Sequence, residues 1–237
     1  MGEAMRGGEP RSAVVGGVRL AYRVWGEETG APPVVLLHAL GETSADWADI
    51  APGLADGRRV YAFDLRGHGD SDRPGGYGLE QMREDVLGLL DLLGSGPVDL
   101  VGHSTGGVVA YLTAAERPSA VRRLLLEDVP APLPREPSTP VRPEGPLAFD
   151  WAVVPAVRAQ IDRPDPAWLD RLARITAPTL VVAGGPESHV PQQGIAELAR
   201  RIPVCRVVTI PVGHLVHAAR PEEFTATVRE FLSAGAS

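Results

Sequence analysis

Six short apolar runs, mostly of β-branched and aliphatic residues, recur along the chain at 34–37, 60–63, 98–101, 124–126, 180–183 and 207–210. None alternates polar with apolar residues, so a strand made from one has both faces covered. Longer stretches with apolar residues at helical spacing lie between them. Over 79–93, Met82, Val86, Leu89, Leu90 and Leu93 fall on one stripe. The stretches 44–54, 192–202 and 222–232 read in the same way, the first opening on Ser44 as a capping residue. Strand and helix in alternation predict an α/β fold, a mostly parallel central sheet with helices on both faces. The start differs. Residues 13–15 and 18–24 flank Gly16-Gly17, which predicts an N-terminal hairpin on that sheet.

With 237 residues the chain fits a single domain, 1–237. One stretch breaks the rhythm: ten prolines fall between Pro130 and Pro166. Residues 130–168 read as a short proline-rich cap or lid within the domain, with a helix expected over 149–161, started or interrupted by Pro155. A cap this short predicts a shallow, partly open pocket. Phe149, Trp151, Val154 and Trp47 are candidate walls for it, and core packing is an equal reading of each.

Composition removes several chemistries. The net charge of −7 disfavours nucleic acid and anionic membrane surfaces as partners. No apolar run has the length of a membrane span, and residues 1–10 lack the apolar core of a signal peptide. The expected location is therefore the cytoplasm. Cys205 is the one cysteine, too few for an intrachain disulfide or a cysteine-rich metal site. There is no lysine, which excludes Schiff-base chemistry and a phosphate-loop lysine.

Gly102-His103-Ser104-Thr105-Gly106 follows the run at 98–101 and precedes a helical stretch. This is G-x-S-x-G between a strand and a helix, where a sharp turn lifts the serine hydroxyl above the sheet edge. Glycines flank it because side chains there would collide with backbone. The helix start offers free N–H groups, and that of Thr105 can face a developing oxyanion. A serine needs a base. His214, just after the last strand, lies at the same sheet edge as Ser104 and is the candidate, with His217 as the other possibility. His38 and His189 sit in turns or loops, and His68 and His103 in glycine-rich turns that suit structural roles.

Together these residues resemble the α/β-hydrolase family, over nearly the whole chain. His38-Ala39-Leu40-Gly41 resembles that family's oxyanion turn, the stretch from Asp64 to Pro74 its loop after the next strand, Gly102 to Gly106 its nucleophile elbow, and Gly213-His214 its histidine turn. The resemblance implies that Leu40 and Thr105 backbone N–H groups form the oxyanion hole. Ala39, His103 and Trp151 are the candidate substrate-pocket residues. Ala39 stands where the family commonly has glycine. The family places its acid after either of two strands, which leaves Asp128 and Glu187 as alternatives. The Asp64 loop reads as scaffold. The implied activity is cleavage of a carboxylic ester, thioester or lactone through an acyl-enzyme on Ser104, with a small-molecule acyl substrate and no metal or cofactor. Acyl transfer, perhydrolysis and lyase chemistry share the same machinery, and a non-hydrolytic binding or cyclase role is a third class. The dehalogenase and epoxide hydrolase branches resemble this fold but use aspartate at the elbow.

Overall fold

The computed structural model describes residues 7–94 and 96–234. Part of the stretch read for a signal peptide, residues 1–6, lies outside them. Among the described residues, eight strands form one sheet in the order β1-β2-β4-β3-β5-β6-β7-β8. They are β1 (Glu9–Val15), β2 (Val18–Trp25), β3 (Val34–Leu37), β4 (Val60–Phe63), β5 (Val98–His103), β6 (Val121–Glu127), β7 (Thr179–Ala183) and β8 (Cys205–Thr209). β1 and β2 form the expected hairpin around Gly16-Gly17, β2 pairs antiparallel with β4, and the strands from β4 to β8 are parallel. All four residues of β3 and all four of β4 are buried. Val35 and Leu37 face one apolar layer and Val34 and Leu36 the other, which is why the runs do not alternate.

The helices are α1 (Ala51–Leu54), α2 (Leu79–Leu93), α3 (Thr105–Glu116), α4 (Val153–Asp162), α5 (Pro166–Arg171), α6 (Gln192–Arg201), α7 (Val216–Ala219) and α8 (Pro221–Ser233). Leu79, Met82 and Val86 of α2 pack with Val109 and Tyr111 of α3 on one face of the sheet, while Phe224, Val228 and Phe231 of α8 join Trp47 and Leu54 on the other. Burying each such side chain contributes about 1.5–3 kcal/mol. Residues Thr105–Ala115 of α3 are all buried, as for a helix wrapped by a domain interior. α2 stops at Gly94, whose φ of 61° lets its N–H reach Leu90 O. Its start is capped from a distance: Gln160 Oε1 in α4 accepts from Leu79 N at 3.0 Å.

Two local expectations are corrected. The stretch 44–54 is not one helix but a 3-10 turn, Ser44–Trp47, followed by α1. Pro52 lacks an N–H and its ring excludes a carbonyl four residues back, so an α-helix cannot run through it. The cap at the turn is Thr43, whose hydroxyl accepts from Ala45 N. The expected helix over 149–161 starts at Val153, with Pro155 tolerated in its first turn. Phe149 instead bridges to His68 and stacks on its ring at 5.8 Å. The same phenyl lies over Gly41, where a Cβ would come within 3.3 Å of it. The positive φ in the oxyanion turn is at Gly41 (88°) and not at Ala39, so alanine fits there without strain.

The loop after β4 is braced as expected of scaffold. Asp64 accepts from Ser44 N at 2.6 Å and Asp70 N at 3.0 Å, and Asp72 accepts from Arg19 N at 2.8 Å. The proline-rich stretch is clipped to α4: Arg135 Nε and Ser138 N both donate to the Asp162 carboxylate, at 2.6 and 3.2 Å.

The elbow glycines admit no side chain. A Cβ on Gly102 would meet Gly106 O at 2.5 Å, and one on Gly106 would meet His38 O at 2.5 Å. Gly106→Ala is expected to lower stability to urea by about 1–3 kcal/mol. Gly76→Ala, whose nearest neighbour would be the end of Gln81 at 3.8 Å, should change it by less than about 0.5 kcal/mol.

Candidate active site

Ser104 links β5 to α3 with φ 50° and ψ −116°. Among the described residues, it and Asp128 (φ 50°) are the non-glycine positions with positive φ. Ser104 N donates to Glu127 O at 3.1 Å, so the elbow stays laddered to β6 while its side chain turns away. Thr105 N–H opens α3, where a helix supplies no acceptor of its own.

His214 arrives from the loop after β8. Its Nδ1–H donates to Asp128 Oδ2 at 2.7 Å, which leaves Nε2 as the acceptor. Asp128 also accepts from Gly184 N at 2.8 Å and from the Ser188 hydroxyl. Burial pushes its carboxyl pKa up, but these three donors outweigh that and hold it below the usual value. Glu187 is exposed on the β7 loop, and among the described residues no hydrogen bond joins it to His214. The structure thus brings Ser104, His214 and Asp128 to one cavity and leaves Glu187 outside it.

The cavity measures about 300 Å³ and is also lined by Ala39, Leu40, Thr105 and His103. Trp151, the expected wall, does not line it, and neither do Phe149, Val154 or Trp47. The aromatic surface comes from Tyr111 and Trp168 instead. Trp168 belongs to α5, a helix with no counterpart in the sequence reading. Trp47 is fully buried against His217, ring centroids 4.6 Å apart.

The residues next to Asp128 and near His214 form a second acid–histidine pair that motif reading missed. Glu127 directly precedes Asp128, and His217 follows His214 by three residues. Glu127 is fully buried and accepts from both the backbone N–H and the Nδ1 of His217, at 2.8 Å each to its nearer oxygens. His217 Nε2 lies 3.1 Å from Asp46 Oδ2, an ion-pair distance. Burial opposes a charge on His217, yet Glu127 and Asp46 overcome it and raise its pKa to about 10. The adjacent carboxylates are the sequence signal that would have revealed this pair.

The other buried histidines are neutral. His38 Nε2 accepts from Leu65 N at 3.0 Å while Nδ1–H donates to Ala39 O at 2.7 Å; burial lowers its pKa to about 4. His68 accepts from Gly41 N at 3.2 Å, and burial, reinforced by His38, lowers it to about 3. His103 donates from Nε2 to His214 O at 3.0 Å, and burial lowers its pKa. Among the described residues, one side-chain set has the composition of a metal centre: atoms of Asp46, His103 and His217 lie within 4.8 Å of one another.

Residues 32–151 match the family described as alpha/beta hydrolase fold. The chain belongs to the α/β-hydrolase family. Across 90% of this α/β-hydrolase it is 28% identical to a mouse protein, the sn-1-specific diacylglycerol lipase ABHD11, 85% of which is covered. It is 36% identical to the soluble epoxide hydrolase of Corynebacterium sp. (strain C12), but over only 49% of this chain and 40% of that one. Among solved structures, the enol-lactonase from Burkholderia xenovorans LB400 superposes with a TM-score of 0.78 at 27% identity, covering 94% of this chain and all of that one (100%). Est816, described as an N-acyl homoserine lactone degrading enzyme, gives a TM-score of 0.77 at 28% identity, with 93% and 100% covered. Among the described residues no helix is long and apolar enough to cross a membrane.

The buried ion pair predicts a pH response. The folded pKa of His217, about 10, lies above its ordinary 6.5. The stability it contributes is therefore full below pH 6.5 and disappears as pH rises through about 10. The melting temperature should decline over that alkaline range, and His217→Gln should flatten part of the decline. His38 and His68, with pKa values lowered to about 4 and 3, act in the opposite sense, withdrawing stability as pH falls below 6.5.

Proposed function

We propose that this α/β-hydrolase is a serine hydrolase that cleaves a carboxylic ester, thioester or lactone through an acyl-enzyme. The observation that carries the reading is the 2.7 Å hydrogen bond from His214 Nδ1–H to Asp128 in the same cavity that Ser104 lines. With Nδ1 committed to the carboxylate, Nε2 is the basic nitrogen that takes the Ser104 proton as the hydroxyl attacks the carbonyl. Asp128 fixes the tautomer and stabilises the imidazolium that forms. The Leu40 and Thr105 N–H groups stabilise the tetrahedral oxyanion at the start of α3. The imidazolium then protonates the leaving group, and His214 activates water to release the acid. No step needs a metal or organic cofactor.

Ester and lactone substrates are supported by the names of the relatives: a diacylglycerol lipase, an enol-lactonase and a lactone-degrading enzyme. Serine at the elbow supports acyl chemistry over epoxide opening. In this reading residues 130–168 serve as a short cap, since Leu133, Ile161, Pro164 and Trp168 supply the cavity's outer wall.

A fluorophosphonate probe should label the wild type on Ser104 and leave Ser104→Ala unmodified; an unlabelled wild type would overturn the reading. Asp128→Asn should reduce kcat by about 10³–10⁴-fold, while Glu187→Gln should stay within about threefold. Equal small losses from both would remove Asp128 from the triad.

A further inference from the structure

The cavity wall is mainly apolar, but its charges are unevenly placed. Glu42 lines the side of the oxyanion turn, and two guanidiniums, Arg135 and Arg158, line the side made by the proline-rich segment and α4. Arg135 is committed: its Nε donates to Asp162 Oδ1 at 2.6 Å, and that carboxylate is almost wholly buried. Arg158 has only a neutral partner at hydrogen-bond distance, the Ser138 hydroxyl. Among the described residues no carboxylate forms an ion pair with Arg158, and its buried Nε–H has no acceptor. Asp162 is near enough to feel both guanidiniums, Arg135 first and Arg158 less. Two cations thus share one anion, and a unit of positive charge is left at the cavity wall of a protein whose net charge is −7.

That charge is felt beside the reacting groups. His189, whose ring centroid lies 4.3 Å from that of His214, has its pKa lowered by burial first and then by His214; Asp128 opposes this, and Arg158 and Arg135 add smaller lowering contributions. At the other side, burial and the neighbouring Asp46 raise the Glu42 pKa, so a second anion there would meet repulsion. Glu42 and Asp128 are the carboxylates that line the cavity, and Arg135 and Arg158 its two guanidiniums, both from the proline-rich segment and α4. A half-buried Arg with an unused donor is suited to a carboxylate, which it can hold through two parallel hydrogen bonds.

We propose that Arg158 forms an anion subsite that selects acyl substrates carrying a second, negatively charged group, with a carboxylate as the fitting chemistry. The proposal rests on the ester-hydrolase reading for its substrate, and its test separates the two. Mono-p-nitrophenyl glutarate and p-nitrophenyl pentanoate differ chiefly in one terminal carboxylate, and the adipate and hexanoate pair extends the reach by one methylene. The wild type should prefer the charged member of at least one pair by about 10- to 100-fold in kcat/KM at low salt, mostly through KM. Arg158→Gln should lower that preference about tenfold or more, and Arg158→Lys should restore part of it.

A wild type that prefers the neutral esters, or a variant that loses both classes equally, overturns the subsite and makes Arg158 a brace of the cap. Binding gives a readout independent of turnover. Calorimetry should detect glutarate binding to Ser104→Ala and its loss in the Ser104→Ala, Arg158→Gln double variant; no binding to the former overturns the subsite. If no ester is cleaved and Ser104 resists the probe, the hydrolase reading fails, while glutarate binding still decides the subsite.

Discussion

Two adjacent carboxylates at the end of β6 hold two histidines, His214 of the loop after β8 and His217 of α7. Asp128 takes the Nδ1–H of His214 and Glu127 takes that of His217. The loop between β8 and α7 is otherwise tied to the sheet by few backbone bonds, among them Gly213 N to Gly184 O at 2.9 Å. Glu127 is fully buried, and a buried carboxylate without a partner costs several kcal/mol. His217 offsets that cost as the partner of Glu127 and is shared with Asp46 from the turn after β3. The network therefore ties the oxyanion turn side, the end of β6 and the histidine loop into one electrostatic unit. His214 inherits its position from that unit and its tautomer from Asp128.

Burial alone does not decide what state a histidine takes here. His38, His68, His103 and His217 are all nearly inaccessible to solvent. The first three each have one nitrogen spoken for by a backbone carbonyl, and with no paired carboxylate a second proton would add an uncompensated charge. Only His217 has a carboxylate on each side, and it alone is driven to the cationic form. Of the three with lowered pKa values, His103 lines the cavity, while His38 and His68 brace the oxyanion turn and the loop after β4. His103 illustrates the coupling: it immediately precedes Ser104, and its Nε2–H holds the carbonyl of His214, so the residue beside the elbow also steadies the histidine turn.

Most of the architecture was legible because the sheet is covered on both sides. Unbroken apolar runs marked β3 and β4 to the residue, and the stripe from Leu79 to Leu93 marked α2. The elbow was legible because strand, glycines and helix must occur in sequence. Local pattern failed where chain geometry is set from afar. Nothing near Phe149 announces that it will bridge to His68, and α5 is short, proline-initiated and capped by Asp165 instead of marked by apolar periodicity. The contact of Asp128 with His214 depends on where β6 ends and which way the chain leaves it. Glu187 and Asp128 look equivalent until tertiary structure sets one inside and the other in solvent. The cavity wall was misassigned for the same reason: Trp151 and Trp168 are both apolar aromatics of one segment, and only the packing of α5 against α3 decides that Trp168 faces inward.

The two left-handed residues make clear how the sheet supports its edge. A non-glycine residue with positive φ costs about 1–3 kcal/mol and persists only where surrounding structure fixes it. Ser104 and Asp128 sit at the ends of neighbouring strands β5 and β6, and each keeps a ladder bond: Ser104 N to Glu127 O at 3.1 Å, Asp128 N to Val182 O at 2.8 Å. The hydrogen-bond pattern of the sheet thus continues one residue past the point where the chain turns. A strand residue in ordinary conformation would send its side chain into one of the two apolar layers. The reversed φ directs the side chains of Ser104 and Asp128 toward the cavity at the sheet edge instead, with His214 hydrogen-bonded to Asp128 there. Neighbouring strands in parallel register hold both ends at similar depth, which is what lets two strained residues, distant in the chain, contribute to one site.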